Sequence, residues 1–266
     1  MSLPSDFFGR IIFIVQNYGP SLLRGAGLTM AIAVAGTIIG CLIGFLVGIV
    51  QTIPVYQSDN LMKKVLLKIA KFILNVYVEV FRGTPMMVQA MFIYYGSGAL
   101  FNINMTETFA AYFIVSINTG AYMAETVRGG ILSIDPGQTE GAKAIGMTHF
   151  QTMLSVIMPQ ALRNIMPQIG NNLIINIKDT CVLSVIGVVE LFFATKGIAG
   201  AYYTYFEAFT ITMVIYFILT FTCSRILRYW EKRMDGPDSY DLATTDTLAY
   251  TSGMVKFPDP KEKEER

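Results

Sequence analysis

No charged residue occurs between Gly25 and Val50. A helix over that stretch rises 1.5 Å per residue and crosses the roughly 30 Å hydrocarbon layer of a bilayer. Irregular or open-edged backbone cannot satisfy its polar groups in lipid, so the stretch commits the chain to membrane helix. Gly36, Gly40, Gly44 and Gly48 recur every fourth residue and put a bare stripe on one face. Small residues at that spacing let a second helix approach closely, either within the chain or in a second copy. Composition agrees: 53% of residues are hydrophobic and only 15% charged, against about a quarter charged in a soluble domain. The net charge of +1 gives no basis for nucleic-acid binding.

The rest of the chain divides into further apolar blocks. Residues 1–23 read as an interfacial segment, since the apolar run Ile11–Val15 is too short to span and has neither the basic front nor the cleavage site of a signal peptide. Phe72–Tyr95 reads as a second span interrupted at Gly83-Thr84-Pro85, where proline bends or breaks a helix. Glu79 and Arg82, three apart, are expected to pair on one helix face. Their role is either a structural kink with a satisfied ion pair or a part in transport. Glu107–Val127 is the third span and contains Asn118, with Glu125 and Arg128 at its end. Met153–Ile177 is the fourth, broken by Pro159 and Pro167 and too polar to face lipid on every side. Thr195–Ala201 reads as a loop and Tyr202–Ile226 as the fifth span. The tail 234–266 is polar and charged and is expected to be disordered.

Between the third and fourth spans lies a polar island, Ser133–Pro159. Asp135 suits a helix N-cap, Pro136 the first helical position, and Gln138 a capping box. The helix runs to Ile145, with Gly146 in a left-handed C-terminal cap. Thr148 and Gln151 repeat the capping pattern. By itself the island is an ordinary loop with a short helix, or a docking element. Glu140-Gly141-Ala142, Gly146 and Val156-Ile157-Met158-Pro159 resemble the EAA loop of ABC importer permeases, with Gly141, Val156 and Met158 as mild departures from that pattern. Glu79-Val80-Phe81-Arg82-Gly83-Thr84-Pro85 with Gln89 is similar to the signature of the polar amino-acid permeases within that family, of the histidine- and glutamine-permease kind. The stretch Asn172–Leu191, with its Lys178-Asp179-Thr180, resembles the same family.

The resemblance covers about residues 20–230 and implies an all-α membrane protein of five transmembrane helices with the type I ABC importer permease fold. The transmembrane domain would be 24–233, with a cytoplasmic coupling loop at 128–159. It further implies a permease subunit of an ATP-driven, binding-protein-dependent importer of polar amino acids in a bacterial cytoplasmic (inner) membrane. Its partners would be two ATP-binding subunits, a second permease copy or a sister permease, and an extracytoplasmic solute-binding protein. In that picture Asp135 and Gln138 cap the coupling helix, Glu140, Gly141, Ala142 and Gly146 shape its docking surface, and Pro159 permits the turn back into the membrane. Glu190, Asn172, Gln89 and Thr84 are the candidate substrate path; Glu190 is alternatively an interfacial residue at the external surface. The chain itself has no G-x-x-x-x-G-K, so ATP and Mg belong to a partner. No cofactor, metal site or catalytic residue is expected here: His149 is the only histidine, and Cys41, Cys181 and Cys223 lie far apart.

Orientation has a separate basis. Lys63, Lys64, Lys68, Lys71, Arg128, Lys143 and the cluster Arg225–Arg233 fall on one side if the spans are five. The positive-inside rule places that side, the island and the C-terminus in the cytoplasm, and the N-terminus outside. The polar broken helices would also suit an ion- or proton-coupled secondary transporter or a channel.

Overall fold

A computed structural model of the chain describes residues 3–55 and 60–235, and the expected tail from residue 236 onward lies outside the described residues. Among the described residues all regular structure is helical. Helix α1 is Phe7–Thr52, α2 Leu61–Gly83, α3 Met86–Phe101, α4 Glu107–Leu132 and α5 Pro136–Ala144. The short α6, His149–Thr152, runs through a π-helical turn, Met153–Ile157, into α7, Met158–Asp179. A 3₁₀ segment, Thr180–Ile186, leads to α8, Leu191–Tyr202, and α9, Tyr205–Asp235, closes the described chain.

The core is built on α1 and α4, and the glycine stripe is the reason. A Cβ at Gly36 would meet Val115, one at Gly40 would meet Thr119, one at Gly44 Met123 and one at Gly48 Val127. Both series advance by four, so α1 and α4 run parallel with their backbones in close approach. Of the two uses open to the stripe, packing within the chain is the one observed. Tyr94 meets Glu107 and Gln89 meets Asn118, so α3 runs antiparallel to α4. Helix α7 does the same, since Asn176 meets Thr119 and Asn164 meets Ser133. Ile14, Leu22 and Ala26 of α1 share a buried cluster with Leu191, Ile198 and Ala199 of α8 and with Ala208 at the start of α9. Arg10 and Glu207 pair across the N-terminal ends of α1 and α9, at 2.9 Å.

Several boundaries differ from expectation. Residues 7–23 are continuous with the first span in one helix of 46 residues, about 69 Å long. Asp6 caps its N-terminus by accepting from Gly9 N, and Pro20 is carried inside the helix. The predicted loop Thr195–Ala201 is part of α8, because a side-chain cap at Glu190 starts that helix and its face packs through Ile198 and Ala199. Pro159 does not turn the chain: it sits in the first turn of α7, where a missing N–H costs no helical bond, and the π-helical turn before it absorbs the irregularity.

By length and apolarity, Phe7–Thr52 and Tyr205–Glu231 can each cross a membrane. The bent pair His149–Ile186 and Leu191–Tyr202, angled by 56°, makes a third if it is one span. The remaining expected spans fail that test for visible reasons. Helix α2 opens with Lys63, Lys64, Lys68 and Lys71, and α4 carries Glu107, Glu125 and Arg128. Helix α4 has Ile114, Ala121, Met123, Ala124 and Val127 all fully enclosed, while Phe109 and Phe113 stay exposed, so one broad face packs on protein and the helix needs no uniform apolar surface.

Candidate functional site

The polar island folds as a doubly capped, solvent-facing helix. Asp135 Oδ1 accepts from Gly137 N at 2.7 Å, and Pro136 occupies the first helical turn. At the other end Gly146 has φ of 83°, the left-handed conformation that glycine adopts without strain. Its N–H reaches Lys143 O at 2.9 Å, and Met147 N reaches Ala142 O at 3.0 Å, which together close a Schellman cap. Thr148 and Gln151 form the expected capping box at the start of α6. Gln138 does not form one with Asp135; its side-chain oxygen instead accepts weakly from Gln160 Nε2, at 3.4 Å.

The faces of α5 are unequal. Ala142 is buried at 5% exposure, so it anchors the helix to the chain's own body. Glu140 and Gly141 are exposed, and a Cβ added at Gly141 would touch nothing within 4 Å. Ile145 and Phe150, at 78% and 73% exposure, present apolar side chains beside this bare surface. Exposed large apolar groups flanking a rigid, capped helix mark an interaction surface. Of the residues assigned to docking, Glu140 and Gly141 therefore face outward, Ala142 faces inward, and Gly146 sets the end of the helix.

The second cluster lies at the break between α2 and α3. Thr84 precedes Pro85 and is extended, with φ of −123° and ψ of 146°, as a residue before proline prefers. That geometry ends α2 after Gly83 and strands the last carbonyls of the helix. Gln89 Nε2 satisfies them, reaching Phe81 O at 2.9 Å, Thr84 O at 2.8 Å and Thr84 Oγ1 at 2.9 Å. Its own carbonyl accepts from Asn118 Nδ2 of α4 at 2.9 Å. Thr84 and Gln89 are thus brought together, and their side chains brace a broken helix. Buried polar groups need such partners. The expected Glu79–Arg82 pair is not made. Arg82 reaches instead to Glu125 of α4 at 3.4 Å, and Arg128 holds the other Glu125 oxygen at 2.6 Å. Arg82 also lies 5.8 Å over the Tyr122 ring. Glu79 is exposed; the fixed acidic partner on α4 outcompetes a local pair on one helix turn.

The third group surrounds Glu190, which is closed off inside this chain. It has 0% exposure and caps α8. Its oxygens accept from Phe192 N and Phe193 N, both at 2.8 Å, and from Tyr216 Oη at 3.1 Å. The carboxylate and the helix N-terminus stabilise one another. Replacing Glu190 by alanine removes the cap and leaves Tyr216 and two amides unpaired, so we expect a loss of about 2 kcal/mol or more, read as a lower unfolding temperature in detergent. Glu190→Gln, which keeps one acceptor, should lose less. Unchanged stability with abolished substrate flux would make Glu190 a path residue instead.

Asn172 lies on the half-buried face of α7, where Nδ2 contacts Met123 Sδ at 3.3 Å and Gln168 O at 3.1 Å. It is separate from the Thr84–Gln89 cluster and from Glu190. The structure adds residues that sequence reasoning did not single out. Asn176 is buried and ties α1, α4 and α7 together, donating to Thr37 Oγ1 at 2.8 Å and Thr119 Oγ1 at 2.9 Å. The available signal was Thr37 beside Gly36, in a span whose only other hydroxyl is Thr29. A hydroxyl there needs a partner, and an amide on another polar helix provides one.

Comparison with known proteins gives a consistent set of likenesses. A family profile described as "Binding-protein-dependent transport system inner membrane component" matches residues 61–236. The glutamine transport system permease protein GlnP of Escherichia coli K12 is 42% identical over 167 residues, covering 62% of this chain and 76% of that protein. The probable amino-acid permease protein YxeN of Bacillus subtilis 168 is 37% identical over 165 residues, covering 61% of this chain and 74% of the relative. Among solved structures, a chain of an amino acid ABC transporter crystallised with histidines superposes with a TM-score of 0.74 at 34% identity, over 86% of this chain and 99% of its own. A chain of the inward-facing MetNI methionine ABC transporter shares the fold, with a TM-score of 0.61 at 20% identity over 80% and 97% of the two chains.

Proposed function

This chain belongs to the family of binding-protein-dependent transport system inner membrane components, and from that premise we propose that it is the permease subunit of an ATP-driven importer of polar amino acids. The observation that carries the proposal is α5. It is a short helix capped at both ends, anchored through Ala142, with Gly141 bare and Ile145 and Phe150 exposed beside it. A rigid element with an unobstructed apolar surface can take up motion from another protein and pass it to the helices that hold it. In this reading ATP and Mg are bound by two partner subunits that dock on α5 of this permease and of a second copy or sister permease. ATP closes the partner dimer, the coupling helices move together and the cavity opens outward; hydrolysis resets it. A solute-binding protein delivers the amino acid from the other side.

Five spans account for the helix directions. Helices α1, α4 and α9 run one way, and α2–α3 and α7 return. The ends of α1 and α4, and α5 with them, then share one side with Lys63, Lys64, Lys68 and Lys71. Positive charge on that side supports a cytoplasmic location for it and for the C-terminus, in a bacterial inner membrane, with the N-terminus outside. For the path we retain Asn172 with its neighbours Gln168 and Asn171, which lie on the partly exposed polar face of α7. Thr84, Gln89 and Glu190 spend their hydrogen bonds within the chain, which supports a scaffolding role for them.

The test is affinity purification in mild detergent followed by flux measurements in vesicles. Co-purification of an ATP-binding chain, and amino-acid uptake that needs ATP and a binding protein, are the expected results. A chain recovered alone that moves substrate without ATP would overturn the proposal in favour of a secondary transporter.

A further inference from the structure

Helix α2 ends beside a group of charges that the chain leaves half open. Arg82, in the last turn of α2, is exposed, and its side chain reaches Glu125 of α4 at 3.4 Å. Arg128, one turn further along α4, donates to the other Glu125 oxygen at 2.6 Å. The two arginines are therefore held differently. Arg128 has a short, charge-assisted hydrogen bond. The Arg82 guanidinium donates no hydrogen bond among the described residues; it has the longer contact to Glu125 and the Tyr122 ring at 5.8 Å. Its five N–H groups form a planar fork suited to a carboxylate. Glu79, one turn earlier on α2, is exposed and makes no ion pair among the described residues.

The group lies at membrane depth. Met123 and Val127 pack on Gly44 and Gly48, so Glu125 sits about 6 Å inside the uncharged stretch that ends at Val50. Charged side chains at that depth face protein or a water-filled cavity, not lipid. Space is open there. The side chains of Arg82, Glu125 and Arg128 are 43%, 37% and 42% exposed, and a Cβ at Gly83 would meet nothing within 4 Å. Tyr122, Thr126 and Gly129 continue the open strip along α4, and Asn172 borders it from α7 through Met123. The backbone that carries Arg82 is fixed, since Gln89 holds the carbonyls of Phe81 and Thr84 to either side of it.

We propose that Arg82 takes the carboxylate of the transported amino acid, which displaces Glu125 from it. The proposal deepens the permease reading and rests on it. In the exchange Arg82 gives up a contact of 3.4 Å for two parallel hydrogen bonds to the ligand. Glu125 is not left uncompensated, because Arg128 keeps it. The charges of Glu79, Arg82, Glu125 and Arg128 sum to zero. A zwitterion therefore enters without changing the net charge of the site, and Glu79 supplies an acceptor for its ammonium group. The groups read here are common to all amino acids, so selection among their side chains falls elsewhere on the strip.

The test is protection of Arg82 from phenylglyoxal, a reagent for arginine, read by mass spectrometry on the full chain purified in mild detergent with the subunits it retains. The probes are an equimolar mixture of serine, asparagine, glutamine and histidine, the carboxamides of the same four, and inorganic phosphate. The amino acids should protect Arg82, and the carboxamides, which lack the carboxylate, should not. Glu125→Gln removes the competing carboxylate and should lower the half-protecting concentration about three- to fivefold. A purely structural Arg82–Glu125 pair would show no such response. Arg82→Gln should reduce ATP-driven uptake roughly 10- to 100-fold while recovery of the ATP-binding chain stays unchanged. Arg82→Lys, which keeps the charge and loses the fork, should fall between. Equal protection by the carboxamides or by phosphate would overturn the proposal. So would a lack of protection in the wild type and Glu125→Gln alike, or full uptake by Arg82→Gln. A wild-type chain that takes up nothing with ATP counts against the permease reading, whereas failed protection in a chain that does take up amino acid counts against Arg82 alone.

Discussion

Replacing Gly141 by leucine should abolish coupling to an ATP-binding partner while leaving the chain itself intact. No atom lies within 4 Å of a Cβ at Gly141, and its φ is not in the left-handed region. Leucine is also a better helix former than glycine by about 1 kcal/mol, so thermal unfolding of the purified chain should be unchanged or slightly higher. The surface it alters is the bare one. A side chain projecting there would hold a docked protein off the helix backbone and disturb the packing of Ile145 and Phe150 against it. Overpacking a close-fitted contact costs about 1–3 kcal/mol, which corresponds to a loss of roughly 5- to 150-fold in complex affinity. The measurement is recovery of the ATP-binding chain with the tagged permease, alongside ATP-driven uptake. Uptake and recovery at wild-type level would show that this face of α5 is not where the partner docks. Ala142 is unsuitable for the same experiment: at 5% exposure, a larger side chain there would push α5 off its own support.

Replacing Gly44 by valine should have the opposite character, with a severe loss of stability from a site far from α5. Its Cβ would meet Met123 Cβ and, at 2.8 Å, Ala124 N. The second is backbone in the middle of a helix and cannot swing aside, so α1 and α4 would have to separate along the seam that Gly36, Gly40 and Gly48 also share. We expect a loss of about 3 kcal/mol or more, seen as a large drop in unfolding temperature and in yield. Gly27, on the same helix with nothing within 4 Å of a Cβ, is the control: Gly27→Ala should be neutral or slightly stabilising. Equal tolerance at both positions would mean that the α1–α4 seam does not hold the fold.

Local features were legible from the order of residues because their physics is local. Asp135-Pro136 and Gly146 bracket α5 at the expected places, since capping depends on neighbours within a turn. Thr148 and Gln151 form their capping box for the same reason. The helix break at Thr84-Pro85 follows from proline alone. The glycine stripe announced a close helix contact, though not its partner. Boundaries failed where distant residues decided them. Thr195–Ala201 reads as a loop by composition but is helical, because Glu190 starts α8 and the buried cluster with α1 holds it.

What the sequence by itself determined is that this chain is a bundle of membrane helices with one capped, polar helix between the third and fourth apolar blocks. Charge, apolar length and cap residues act over a few residues, so their consequences can be read in one dimension. Only the tertiary structure decided which polar groups serve one another. Glu79 and Arg82 have the right spacing to pair, yet Glu125 takes the arginine. Glu190, Gln89 and Thr84 had the look of residues awaiting a substrate, and each is occupied by partners from other elements: Tyr216 for Glu190, Asn118 for Gln89, and Gln89 for Thr84. A buried polar side chain must find a donor or an acceptor somewhere, but where it finds one depends on which helices meet. That depends on four glycines in α1 fitting against the ridge Val115, Thr119, Met123 and Val127, a match between surfaces some 80 residues apart that no single stretch of sequence contains.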